Sequence, residues 1–269
     1  MSEDLVIVSV EERIGRLSFN RPKSLNAFSH GLMEQATAAL QRLTADPAVL
    51  AIVVSGEGRS FSAGFDLKEG DSQARETLDD WKRVLDYDFD FIVQFWDCPK
   101  PIIAAVHGYC LAGAFEVMLA CDLTVASEGA RFGEPEVRFG SGIVCMLLPW
   151  LTTPKLAKEL LLTGADRIPA QRMYEMGIVN RVVPEGQHIE GALALARDLA
   201  AAAPQSVQLT KRAINRTYEA MGLRQALAQA LDAELMIESS AGPERKEFNR
   251  IRKEQGLKAA IEWRDARFR

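Results

Sequence analysis

Glu116 and Glu136 are the side chains whose type could serve proton transfer. Glu116 lies in the stretch PIIAAVHGYCLAGAFEVMLACD, residues 101–122. Pro101 precedes a short apolar run, Ile102 to Val106, with the length of a buried strand. A turn is expected at Gly108, and Ala112, Gly113 and Ala114 open a predicted helix carrying Glu116, Val117, Met118 and Leu119. A helix start leaves backbone N–H groups unpaired, and its dipole favours negative charge. Small residues there let a ligand approach the backbone closely. Taken alone, Glu116 reads first as a good helix former near a positive dipole end. Glu134 and Glu136 flank Pro135, which fixes the local backbone. Glu116 and Glu136 are too far apart in sequence to be partners on one helix, so only a fold that joins two segments makes them a pair. Paired carboxylates act as acid and base when burial raises one pKa towards neutrality.

The elements that must position them follow from periodicity. Leu5 to Val10 and Arg13 to Asn20 read as a hairpin turning near Glu11 and Glu12. Ser29 caps a predicted helix running to about Thr44, with Leu32, Met33, Ala36, Ala39, Leu40 and Leu43 on one face. Asp46-Pro47 ends it. Leu50 to Val54 is a strand leading into the loop SFSAGFDLKEG at 60–70. After a polar break at 70–73, apolar residues from Leu78 to Trp96 recur at near-helical spacing over Glu76 to Asp97. Asp86, Asp88 and Asp90 read as a solvated helix face; no Gly or terminal Glu follows at calcium-loop offsets. Leu123 to Ala126 is a further strand, and Thr153-Pro154 starts a helix, with Thr as cap and Pro first. From about Gly186 the pattern is helical, over Ala192 to Ala203, Pro204 to Ala220, Leu223 to Ser239 and Glu244 to Trp263. The reading is α/β followed by all-α.

Composition narrows the function classes. With 269 residues, 48% hydrophobic and 26% charged, the chain can form one large core with a helical appendage. A net charge of −5 argues against nucleic acid as main partner. No apolar run approaches the ~18 residues of a membrane helix. The acidic start MSEDLVIVSVEE lacks a signal-peptide charge pattern, and a cytoplasmic location is expected. Cys98, Cys110, Cys121 and Cys145 sit beside apolar or aromatic residues and read as buried free thiols. His30, His107 and His188 show no ligand-like spacing, so no metal is expected.

Three stretches together resemble the crotonase superfamily of enoyl-CoA hydratases and isomerases. They are Phe61 to Leu67, then Gly108-Tyr109 with Leu111 to Glu116 and Cys121-Asp122, then Phe132-Gly133-Glu134-Pro135-Glu136. The resemblance runs from the strands near Leu5 to the helical C-terminus. It implies a spiral of ββα repeats over residues 1–200 and a helical oligomerisation region over 201–269, forming a trimer or hexamer. It also implies an oxyanion hole from the backbone N–H groups of Phe65 and Gly113, with Glu116 handling water and Glu136 the Cα proton. Lys23, Ser24, Leu25, Ala63, Asp66, Leu67 and Lys68 would lie along coenzyme A, with Lys23 equally readable as a solvated loop lysine. Asp66 would stabilise its loop or lie near the nucleotide. Glu134 reads as solvated rim, and the aromatics of 76–97 as walls of the acyl pocket. Arg264 and Arg267 are candidates for nucleotide contacts.

The activity implied is reversible hydration of a 2-enoyl-CoA, with no cofactor beyond the coenzyme A of the substrate. Double-bond isomerisation, other enolate chemistry, and coenzyme A binding without turnover are the alternatives. The main departure from the family pattern is Gly142 to Leu148, where bulky side chains replace a Gly/Pro-rich loop.

Overall fold

The computed structural model describes residues 4–69 and 77–268. The polar break expected at 70–73 lies outside them. The chain opens with the expected hairpin, β1 (Val6–Glu11) and β2 (Ile14–Phe19). Helix α1 (His30–Ala45) follows, and the Ser29 side chain accepts the Leu32 N–H as predicted for its cap. Strand β3 (Ala51–Gly56) and helix α2 (Leu78–Asp97) come next, α2 held at its start by a reciprocal Thr77–Asp80 capping box.

The stretch around Glu116 is a ββα unit: β4 (Ile102–Val106), β5 (Tyr109–Leu111) and α3 (Gly113–Ala120). Strand β5 corrects the expectation of a turn leading directly into the helix. Its three residues are too few to show alternation, and they join a separate small sheet. Strands β6 (Leu123–Ser127) and β7 (Arg131–Gly133) follow, then α4 (Leu148–Leu151), α5 (Pro154–Thr163), β8 (Ile168–Pro169), α6 (Ala170–Glu175) and β9 (Arg181–Val183). Thr153 precedes Pro154 at the start of α5 as expected, although its side chain makes no cap hydrogen bond. Helices α7 (His188–Ala201), α8 (Pro204–Ala220), α9 (Leu223–Ser240), α10 (Pro243–Gln255) and α11 (Leu257–Ala266) complete the chain. The single helix expected over Glu244 to Trp263 is broken at Gly256, whose φ of 92° lies outside helical space.

The main sheet has six strands in the order β1-β2-β3-β4-β6-β9, parallel except for the β1–β2 hairpin. The small sheet has the order β5-β7-β8. Both faces of the main sheet are covered, which is why β3 and β4 are buried at every position. Ile52, Val54, Ile102, Ala104 and Val106 face the larger core under α1, α2 and α3. Ala51, Val53, Ile103 and Ala105 face α7 through Ala192 and Ala196. This alternation is the two-residue period of a strand. Strand, short strand and helix segments follow one another along the chain, as in the expected ββα repeats, and the helices after β9 fold back on them. In that return, the buried Lys211 Nζ donates to Asp122 at 2.6 Å and to the Lys100 carbonyl at 3.0 Å.

Candidate active site

The loop after β3 is fastened along its length. The Ala63 N–H donates to the Leu25 carbonyl, Phe28 N–H to the Gly64 carbonyl and Asp66 N–H to the Phe28 carbonyl, at 3.0, 2.8 and 3.0 Å. The buried Asn26 amide donates to the carbonyls of Glu57, Ser60 and Phe61, and its oxygen accepts the Arg21 N–H. Arg21 pairs with Asp66 at 2.9 Å, and the Lys68 N–H donates to the same carboxylate at 3.0 Å. Asp66 therefore holds its loop together. Asn26 was not singled out from sequence, because a lone loop Asn looks the same whether buried or solvated.

The start of α3 is pressed against this loop. The Ala112 N–H donates to the Gly133 carbonyl at 2.9 Å, and the Ala112 carbonyl accepts from Phe115 and Glu116. A Cβ built on Gly64 would lie 3.1 Å from the Gly113 nitrogen and 2.6 Å from the Ala112 methyl; one on Gly113 would lie 2.3 Å from the Phe65 ring. The backbones meet this closely only because both positions are Gly. The N–H groups of Phe65 and Gly113 stand at this contact, and neither donates to any acceptor among the described residues.

Glu116 projects from the first turn of α3 and is buried. Its Oε2 accepts the Cys145 N–H at 2.6 Å and its Oε1 the Val144 N–H at 3.3 Å. Glu136 starts the short turn Glu136–Phe139 after Pro135, and its Oε2 is buried without a partner among the described residues. Glu134 is only 1% exposed and hydrogen-bonds Glu136, so the expectation of a solvated rim is corrected. The turn through Pro135 folds both side chains inward.

Burial, and next the charge of Glu136, push Glu116 well above the usual carboxylate range, while the two backbone N–H groups favour its anion. Burial raises Glu136 to about 7, although the hydrogen bond from Glu134 lowers it. Burial and the charges of Glu136 and Glu116 push Glu134 well up. The pair Glu116–Glu136 thus resists double ionisation near neutrality. The two N–H groups on Glu116 favour its anion, and the Glu134 hydrogen bond favours that of Glu136, so the pair shares its negative charge near neutrality.

A cavity of about 820 Å³ opens onto these groups. Glu116, Glu136 and Phe65 line it together with Lys23, Ser24, Leu25, Ala63, Asp66, Leu67 and Lys68. The fold thus gathers the predicted site residues from four separate segments, with Gly113 directly beside the lining residue Ala112. Of the α2 aromatics, Trp81 lines the cavity, whereas Phe91, Phe95 and Trp96 belong to the core. Arg264 is buried, with its guanidinium on Asp166 at 2.7 Å, and Arg267 lies over the Trp263 ring and pairs with Glu244. Glu234 and Glu238 of α9 also face the cavity and were missed. The available signal was the stripe Leu227, Leu231, Glu234, Glu238, which keeps one helix face while turning from apolar to acidic.

The sequence matches the family model described as "Enoyl-CoA hydratase/isomerase" over residues 9–269. The chain belongs to the enoyl-CoA hydratase/isomerase family. It is 36% identical to a probable enoyl-CoA hydratase of Rhizobium meliloti over 239 residues, 83% of this chain and 87% of the relative. It is 33% identical to a putative enoyl-CoA hydratase of Thermus thermophilus, covering 97% of this chain and 100% of the relative. An enoyl-CoA hydratase/isomerase structure from Xanthobacter autotrophicus Py2 superposes with a TM-score of 0.96 at 46% identity, covering 98% of each chain. Within this enoyl-CoA hydratase/isomerase fold, no helix among the described residues is long and apolar enough to cross a membrane.

Proposed function

We propose that this chain is an enoyl-CoA hydratase, adding water reversibly across the double bond of a 2-enoyl-CoA to give a 3-hydroxyacyl-CoA. The observation that carries the proposal is the convergence of two buried glutamates, Glu116 and Glu136, on one cavity beside two N–H groups with no acceptor among the described residues. Relatives at 33–36% identity named as enoyl-CoA hydratases support it.

In this mechanism the thioester oxygen accepts the Phe65 and Gly113 N–H groups. Glu116 removes a proton from water as its oxygen bonds to Cβ. The π electrons move onto the thioester oxygen as an enolate, stabilised by fixed donors that need no reorganisation. Glu136 then delivers a proton to Cα, and the enolate collapses to the thioester. Overall one H and one OH add across the bond, and the proton gained by Glu116 offsets the one lost by Glu136. Coenzyme A would run over the Lys23–Leu25 and Ala63–Lys68 loops, and no cofactor beyond it is required.

Trimeric or hexameric assembly through the helices after residue 200, and a cytoplasmic location, complete the proposal. Light scattering and cell fractionation test them. The activity itself is tested by hydrating an enoyl-CoA in ¹⁸O-labelled deuterated water. Incorporation of ¹⁸O at Cβ and deuterium at Cα is expected. Deuterium exchange without ¹⁸O would keep the enolate site and defeat hydration.

A further inference from the structure

Glu234 reaches the reaction cavity from α9, where the stripe of Leu227 and Leu231 turns acidic. It is 2% exposed, and its Oε2 is buried with no hydrogen-bond partner among the described residues. Its neighbour Glu238 is satisfied, paired with Arg245 at 2.9 Å and accepting the Ser141 hydroxyl. The Glu234 carboxylate rests against Gly142, whose backbone N–H favours its anion, and a Cβ built there would lie 1.7 Å from Oε2. Any side chain at 142 would therefore displace it.

A buried oxygen without a donor is unfavourable unless a bound molecule supplies one. The two proton transfers of hydration are already assigned to Glu116 and Glu136, and the thioester oxygen to two N–H groups. Gly142, on which Glu234 rests, lies two residues before Val144, whose N–H group with that of Cys145 holds Glu116. What remains to fill that part of the cavity is the acyl chain beyond Cβ. We propose that Glu234 determines acyl specificity, accepting a hydrogen bond from a hydroxyl or ammonium group carried by the acyl chain. An acyl chain ending in a carboxylate is disfavoured there, since Glu234 and Glu238 face it and Arg245 is already paired. Burial first, and next the charge of Glu238, raise Glu234 to about 8. A hydroxyl suits either protonation state, whereas an ammonium group would hold the anion.

This inference rests on the hydratase reading, and its test separates the two. Wild type and Glu234→Leu would be assayed with hex-2-enoyl-CoA and with its 6-hydroxy, 6-amino and 6-carboxy counterparts. The corresponding saturated thioesters, which cannot react, would be titrated calorimetrically in parallel. Wild type is expected to prefer the 6-hydroxy or 6-amino substrate by ~10-fold or more in kcat/KM over the apolar one, and to reject the carboxylate. Glu234→Leu should collapse that ratio. Glu234→Gln should keep a hydroxyl preference and lose an ammonium preference, which identifies the donor. A wild-type ratio near one, or a ratio unchanged in Glu234→Leu, overturns the proposal while hexenoyl turnover leaves the hydratase reading standing. If no substrate is hydrated, that reading fails, and the saturated series alone decides whether Glu234 selects a donor.

Discussion

The Cys145 N–H donates to Glu116 Oε2 at 2.6 Å, from the segment of the chain that departs most from the family pattern. Ile143, Val144, Cys145, Leu147 and Leu148 are buried in the main core, while the backbone of Val144 and Cys145 turns towards Glu116. The bulky side chains therefore fill core volume, with Val144 also lining the cavity, and the loop presents its N–H groups to Glu116. A carboxylate that accepts two such bonds is oriented and favoured as the anion, which is the state a base for water requires.

Glu116→Gln and Glu136→Gln should each lower kcat by ~10²–10⁴ with a modest change in KM, because each amide keeps its shape but cannot exchange the proton. The double variant should fall far short of the product of the two losses, since both act on one reaction coordinate. Steady-state kinetics of the three variants provides the check. Full multiplicativity would mean that the glutamates serve separate steps.

The core of this site was legible because its requirements are local. A Gly that permits close backbone contact, an apolar first helix turn and a Pro-fixed Glu each leave a mark within a few residues. The regular elements were legible for a similar reason: α1 and its Ser29 cap follow from the spacing of Leu32, Met33, Ala36, Ala39, Leu40 and Leu43. What escaped depended on tertiary placement. Strand β5 has only three residues and pairs with β7, distant in sequence. Glu134 follows β7, which pairs with the sequence-distant β8, and its N–H is held by the Ala165 carbonyl in the buried interior. Glu234 belongs to a helix whose amphipathic pattern looks ordinary until the fold lays it over the cavity. At the C-terminus, Gly256 broke a helix that periodicity alone had run straight through.

Gly113→Pro removes the N–H expected to meet the thioester oxygen, but any Cβ at this position also strikes the Phe65 ring. Gly113→Ala is therefore the necessary control, since it adds the Cβ and keeps the donor. The Pro variant should lose a further ~10²–10³ in kcat relative to the Ala variant. Equal activity of the two folded variants, verified by circular dichroism, would remove Gly113 from the oxyanion hole.

Ala112 has φ 58° and ψ −139°, a backbone conformation suited to Gly rather than to a residue with a Cβ. Such strain is worth ~1–3 kcal/mol, and the greater freedom of Gly in the unfolded chain offsets ~0.4–1 kcal/mol of any relief. Ala112→Gly should therefore stabilise the protein by about 1 kcal/mol although it deletes a methyl group. Urea denaturation reads the sign directly, and a loss of stability would show that the methyl contact with Gly64 outweighs the strain.

The raised acids of the cavity also make stability fall with pH. Glu136 titrates at about 7 and Glu234 at about 8 in the folded protein, both above the ordinary carboxylate value of 4.5. The folded state therefore holds protons that the unfolded chain has released, and this stabilisation is lost as pH rises through the folded values. His188 acts in the opposite sense: its folded pKa is lowered to about 4 by burial, then by His107, so its contribution is lost as pH falls below about 6.5. Measurements between about pH 6.5 and pH 8.5 isolate the acids from that histidine. Glu234→Gln carries no charge in either state, so its stability should decline less steeply than that of the wild type. The stability of the variant relative to wild type should rise by up to about 2 kcal/mol across the window, from an exchange of roughly one proton over two pH units. Parallel pH dependences of wild type and variant in urea denaturation would mean that Glu234 is ionised throughout, and that its unpartnered oxygen finds a counter-charge in solution.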